Sequence, residues 1–513
     1  MTKIHKTKLA LLGATAFFAA SSAHAQVADT WGISGEVIVS AVNTATDTQL
    51  DPIAGGGTAT TGVDAAEITG GFKNTISGSA VGASASQSFT SLNNSGVGGT
   101  ASLEIGGGVT VAAGNGSNVL NNSDIATSVT VGGSANSISL AAVGSSASVS
   151  GTTTLTDVGG AAVGSDETFS YTATGDVSVS SGAADGSVDL DQGTTIGGNS
   201  GTVTLTLATG IAAPAVTGDG NSISVAGVGS SASASFSATV SGDATVLDSF
   251  ALALPQGASV SAANDDGADV SVNLNAGVTG GGITGTGGNS NSISAAAVGS
   301  SASFSTSATA FGGATISEFN ADVGELQVDS TNGANNVSLA NAAGADATGF
   351  DSAVISGGGN GNSISLTAVG SSGSVSASNT VVSGGLGAET GAVNFAAITV
   401  NSTNGGSVTN TASLTTAAGI SDTGSRNSIS IAGVGASASQ SISTTDYSGA
   451  GVTGVATTVD GTITLAALNT GTVTVAGGLA VPTIADGFSN SISAAAVGAS
   501  ASQSVARTLV GAP

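Results

Sequence analysis

The chain has 513 residues, 81 of them glycine; charged residues make up 7% and aromatic residues 3%, cysteine is absent, and 6 Lys+Arg stand against 32 Asp+Glu. Both histidines, His5 and His24, lie in the first 25 residues, so the rest of the chain has no imidazole or thiol for Ser-His-Asp or Cys-His catalysis, for a zinc centre or for a disulfide. A formal charge of −26 repels nucleic-acid backbone and anionic lipid alike.

In chain order, the first element is an export signal. Lys3, Lys6 and Lys8 precede the apolar run of residues 9–20, and Ala23-His24-Ala25 fits an A-x-A cleavage site, which predicts a bacterial signal peptide over residues 1–25 and a mature protein secreted to the extracellular space or cell surface. The mature chain keeps Lys73, Arg426 and Arg507 as its only basic residues, for a charge of −29. No cysteine follows the run to carry a lipid anchor, and no later stretch reaches the roughly 18 apolar residues of a membrane span. Residues 26–70, with Trp31, are expected to form an N-terminal cap or a handle for an export partner.

Residues 71–506 are dominated by one motif in seven copies, followed by a tail at 507–513. The copies begin at Asn74, Asn136, Asn221, Asn291, Asn362, Asn427 and Asn490, spaced 62, 85, 70, 71, 65 and 63 residues apart. Each carries a glycine eight residues on: Gly82, Gly144, Gly229, Gly299, Gly370, Gly435 and Gly498. A motif of fixed length between variable spacers is the mark of a repeat architecture. Within the second copy Ile138, Leu140 and Ala142 alternate with small residues at period 2, after which Ala147 and Val149 continue in the opposite phase. Alternation argues for strand, and a one-residue slip reverses the inward face unless the chain bulges or turns. Gly144 sits at the slip, which predicts a strand–arc–strand unit bent at a glycine free to take unusual dihedrals.

The spacers are β-like as well. Thr202-Val-Thr-Leu-Thr-Leu207, Gly461-Thr-Ile-Thr-Leu465 and Thr472-Val-Thr-Val475 alternate cleanly, and all five prolines fall outside the seven motifs, as strand interiors require. The expected fold is all-β, a β-solenoid (β-helix-like) repeat array with a thin core of Ala, Val, Ile and Leu. A unit of about 70 residues predicts roughly three turns of 20–25 residues each.

The pattern N-x-I-x-x-x-x-V-G-x-S-x-S, with Gln87, Gln440 and Gln503 thirteen residues after Asn in three copies, resembles the repeats of secreted functional amyloids, the Fap-type and curli-type fibre subunits. The resemblance implies strand pairs joined at a glycine bend, with the seven asparagines and three glutamines stacked as ladders along a fibre axis. It also implies self-association into fibres, with an outer-membrane secretion pore or a nucleator as a candidate partner, and a structural role in a cell-surface fibre, coat or biofilm. No cofactor, catalytic residue or nucleic-acid partner is expected.

Four other readings can be stated from residues. A monomeric solenoid with protected ends would serve as an adhesin or stalk. Asp189-Leu-Asp191 places two carboxylates on one strand face about 7 Å apart, the arrangement of an inverting glycosidase, and Asp166-Glu167 and Asp265-Asp266 are further acidic pairs; all read first as solvated acidic decoration. Asn264-Asp-Asp-Gly-Ala-Asp269 departs from EF-hand spacing, so only adventitious Ca²⁺ binding is expected there. Scattered T-x-T runs give little support to ice binding.

Overall fold

The computed structural model describes most of residues 28–509; the principal stretches left out are 51–67, 94–99, 122–129, 157–167, 183–201, 341–351, 383–389, 412–416, 447–454 and 476–482. The protein is an all-β solenoid of seven coils, and every described ladder is parallel and joins residues of consecutive coils. Each motif repeat contributes one coil, so the expectation of three small turns per repeat is corrected. The spacer strands pair with the equivalent spacers one repeat away, not with each other. That makes one wide coil of 60–85 residues the unit, which local alternation cannot reveal.

The coils share one set of walls, of which the fourth is described in six. In the second coil the first wall is Thr100–Ile105, the second Val109–Asn115, the third Asn118–Asn121, the fourth Thr130–Val131, and a long wall, Ser137–Thr156, closes the coil. The long wall holds all seven motifs, from Thr75–Asn93 to Ser491–Leu509, stacked in sequence order. At the fifth and sixth coils the first two walls run as single strands, Thr315–Asn332 and Thr390–Asn404. Residues 28–50 are in register with the second coil: Ala28–Ile33, Val37–Asn43 and Asp47–Leu50 supply three walls of the first coil.

The motif strand does not fold back around its glycine. It continues as one strand of 19 or 20 residues, and the pairing steps over the glycine: Val228 pairs Val298 and Ser230 pairs Ser300. Burial alternates before and after, with two successive buried residues at the slip, such as Gly144 and Ser145. A bulge at one level in all seven coils thus keeps the inward face inward across the phase change. The expected arc is replaced by this bulge because both halves of the strand have core beneath them.

Two cores result. Ile138, Leu140 and Ala142 of the first half pack with Val203, Leu205 and Val216 of the third and fourth walls. Ala147, Val149 and Leu155 of the second half pack with Phe169, Tyr171, Val177 and Val179 of the first and second walls. The scarce aromatics are concentrated in the second core as two columns. Trp31, Phe89, Phe169, Phe250 and Phe319 succeed one another at centroid distances of 4.9–5.3 Å. Tyr171, Phe236, Phe304 and Phe395 do so at 5.1–6.3 Å. Gly151 leaves the room they need, since a Cβ there would lie 2.9 Å from the Phe236 ring. Each buried ring withdraws about 150–250 Å² from water, so these columns carry much of the apolar stabilisation.

Candidate functional site: polar columns and open ends

The seven motif asparagines form one column. The backbone N–H of each donates to Oδ1 of the asparagine one coil on, from Asn74 to Asn136 through to Asn427 to Asn490, at 2.8–2.9 Å. The amide Nδ2 reaches a glycine carbonyl in the turn of the preceding coil: Asn136 to Gly71 at 3.1 Å, Asn221 to Gly133 at 2.8 Å, Asn291 to Gly218 at 2.6 Å, Asn427 to Gly359 at 3.1 Å and Asn490 to Gly424 at 3.1 Å. A side chain with one acceptor and two donors can serve both neighbours at once. The residue before each asparagine is left-handed: Lys73, Ala135, Gly220, Ser290, Gly361, Arg426 and Ser489, with φ between 55° and 71°. Only two of the seven are glycine, so the usual sequence mark of such a turn is missing.

A second asparagine column, not anticipated from the sequence, ends the second wall. Asn43 donates to Asn115 Oδ1 at 3.0 Å, Asn264 to Asn332 at 2.8 Å, Asn332 to Asn404 at 2.7 Å and Asn404 to Asn469 at 2.6 Å. Its signal was a recurring strand that closes on asparagine, as in Val37-Ile-Val-Ser-Ala-Val-Asn43, Val109-Thr-Val-Ala-Ala-Gly-Asn115 and Ile398-Thr-Val-Asn-Ser-Thr-Asn404. The variable distance to the motif asparagine hides it.

Five of the bulge glycines, Gly82, Gly229, Gly299, Gly370 and Gly435, lie against this second column, each against the asparagine of the coil that follows. A Cβ on Gly229 would be 2.6 Å from Asn264 Oδ1, one on Gly299 2.7 Å from Asn332 Oδ1, one on Gly370 2.5 Å from Asn404 Cγ, and one on Gly435 2.5 Å from Asn469 Cγ. On Gly82 it would lie 2.5 Å from the Gly144 carbonyl. None of the seven is in the left-handed region. The expected need for unusual dihedrals is therefore corrected: glycine is required here for space.

Next to each of the first six bulge glycines lies a small-residue pair that joins a long strand to the second wall of the following coil. Ser145 meets Ser181, Ser300 meets Ser330 and Ser371 meets Ser402, Oγ to Oγ at 2.7–2.8 Å. Where the long strand has alanine, at Ala83 and Ala436, the register-equivalent second-wall residues of the next coil, Ala113 and Ala467, are alanine too. One junction is mismatched. Ser230 corresponds to Ala262, and the buried Ser230 Oγ has no hydrogen-bond partner.

The glutamines behave differently. Gln440 and Gln503 are register neighbours, but the buried Gln440 amide is unpartnered at both Oε1 and Nε2. Gln87 lies in the first coil, at the opposite end, where its Oε1 accepts from Tyr171 Oη at 3.2 Å. Burial pushes the Tyr171 phenol well above its ordinary range. The structure thus brings two of the three glutamines together and leaves the third five coils from the nearer of them.

Of the acidic candidates, Asp166, Glu167, Asp189, Asp191 and Asp266 lie outside the described residues, as does the leader over residues 1–25. Asn264 is committed to the second column and to the Ala268 carbonyl. Among the described residues no group of three or more His, Cys, Asp or Glu could hold a metal ion, and no helix is long and apolar enough to cross a membrane.

The two end coils are open. Of the eleven large hydrophobic side chains exposed among the described residues, ten belong to the first coil (Ile33, Ile38, Val42, Phe72, Val81, Leu92) or the last (Leu468, Ile484, Phe488, Val505), and Phe311 is the other. Among the described residues, no further coil pairs with the strand edges at either end. No protein-family model, curated protein or solved structure matches this chain.

Proposed function

We propose that this is an extracellular structural protein, a subunit or matrix component of a bacterial cell-surface fibre, coat or biofilm, which associates with further copies of itself. The observation that carries this reading is the state of the two ends. A solenoid that works as a monomer seals its terminal coils with polar, atypical caps, whereas the described residues of these end coils expose apolar side chains and strand edges open to β-pairing. The motif asparagine column supports the same reading, since it adds a hydrogen bond at every junction between coils and does not limit the number of coils. No catalytic step belongs to it. The acidic chain opposes association at low ionic strength, and salt or divalent cations relieve that opposition by screening.

Purified mature protein, incubated across a series of salt concentrations, is expected to form filaments or aggregates visible by electron microscopy, with a fibre-diffraction reflection near ~4.7 Å along the axis. A monodisperse protein under all these conditions would replace this reading with that of a monomeric adhesin or stalk.

A further inference from the structure

The two end coils are matched to each other, a complementarity whose use rests on the self-association just proposed. Within the molecule every long strand but the last packs beneath the second wall of the next coil. The last, Ser491–Leu509, has no coil above it among the described residues, yet it keeps the motif and the bulge glycine of the interior strands. Gly498 keeps the bulge glycine although a Cβ there would find only Asn469 Nδ2 within 4 Å, at 3.8 Å. At the other end, Asn43 holds the second-column position in register with Asn115, where interior asparagines cover a bulge glycine from the coil before.

The small-residue pair gives the same answer. Ala499 follows Gly498, and the second-wall position that would meet it is Ala41, in register with Ala113. Alanine would meet alanine, as at the two neighbouring junctions. The glutamines supply a third match. The first, sixth and seventh motifs alone read Gly-Ala-Ser-Ala-Ser-Gln, at residues 82–87, 435–440 and 498–503, and the four middle motifs do not. These three become consecutive only if the seventh coil is followed by the first.

We infer that copies stack head to tail, the seventh coil of one molecule beneath the first coil of the next, in the register of the internal coils. Gly498 then sits under Asn43 of the next copy. Gln440, Gln503 and Gln87 of the next copy then form one run over three consecutive coils, with Gln503 between the other two. The partner is a second copy of this chain, and the junction is a coil interface like the six inside the molecule.

Two sets of variants of the mature protein test this. The first is Ser86→Cys with Ser502→Cys, both exposed and at the same motif position. Inside one molecule they are six coils, about 29 Å, apart, and the chain has no other cysteine. Under mild oxidation of assembled protein the double variant should give a ladder of covalent multimers, and each single variant should stay monomeric on a denaturing gel. The second is Gly498→Ala, which should keep the urea midpoint of the soluble monomer and slow assembly at least tenfold. Assembly with cross-linking of a single variant, without cross-linking of the double variant, or at wild-type rate in Gly498→Ala overturns the junction and leaves the structural role standing. Failure of the wild-type protein to assemble overturns both.

Discussion

Ser230 shows how finely the interior is matched at single residues. Three serine pairs and two alanine pairs join successive coils, and the one serine that faces alanine is the one whose hydroxyl is orphaned. A buried hydroxyl without a partner costs about 1–3 kcal/mol, and a neutral hydrogen bond returns about 1 kcal/mol. Ala262 is fully buried at the same level as Ser181 and Ser330, so Ala262→Ser restores the pair with little change of volume. It should stabilise the protein by about 1 kcal/mol, read as a higher urea midpoint at unchanged slope. A lower midpoint would mean that the site has no room for the hydroxyl and that the pairing rule does not describe it. The motif asparagines obey a stricter logic, since each from Asn136 onward satisfies a backbone N–H of one neighbouring coil, and most also bond a carbonyl of the coil before.

The long strand is the element on which the coil depends. Its alternation changes phase at one glycine, and the bulge there lets a single strand floor two cores. The glycine is needed because the next coil's asparagine and backbone occupy the space of a side chain. Gly299→Ala forces a methyl group to 2.7 Å from Asn332 Oδ1, and that oxygen is held in place by Asn264. Overpacking of this kind costs about 1–3 kcal/mol, so Gly299→Ala should lower the urea midpoint clearly while Gly498→Ala leaves it near wild type. Equal midpoints for the two variants would contradict the role assigned to the second asparagine column.

At the scale of the molecule, stability is close to a sum over coils and their interfaces. Ser222 and Ser292 are register equivalents, so deletion of residues 223–292 removes one full period and joins strand to strand without a change of phase. It also removes both Ser230 and Ala262, the mismatched junction. The six-coil protein should fold with the same β-type circular dichroism and unfold with a denaturant slope lower by about one seventh, because the slope follows the surface exposed. A disordered or helical spectrum would show that the coils are not interchangeable units. The charge is distributed to suit stacking. Asp446 and Arg507 are the only charged residues in the seven long strands, while Glu318, Asp322 and Glu325 are exposed on the opposite side of the coil, so mutual repulsion is concentrated away from the longest ladder.

Much of this was legible in the residues alone. Period-2 alternation, the absence of a helical period, seven recurrences of one motif and the phase slip at Gly144 are local properties of a strand with one wet and one dry face. They suffice for an all-β stacked array with Asn136 and its equivalents at fixed positions. The size of the coil was not legible, because alternation records which face meets water and carries no mark of the strand alongside; the partner of Val203 is Val270 in the next repeat, not a neighbour in its own. The second asparagine column, the aromatic columns and the spatial reason for the bulge glycines likewise exist only once coils lie on one another. Left-handed Ala135, Ser290 and Ser489 were hidden for a related reason: the asparagine that follows each of them is bonded to other coils, and those bonds hold a backbone conformation that local preference disfavours.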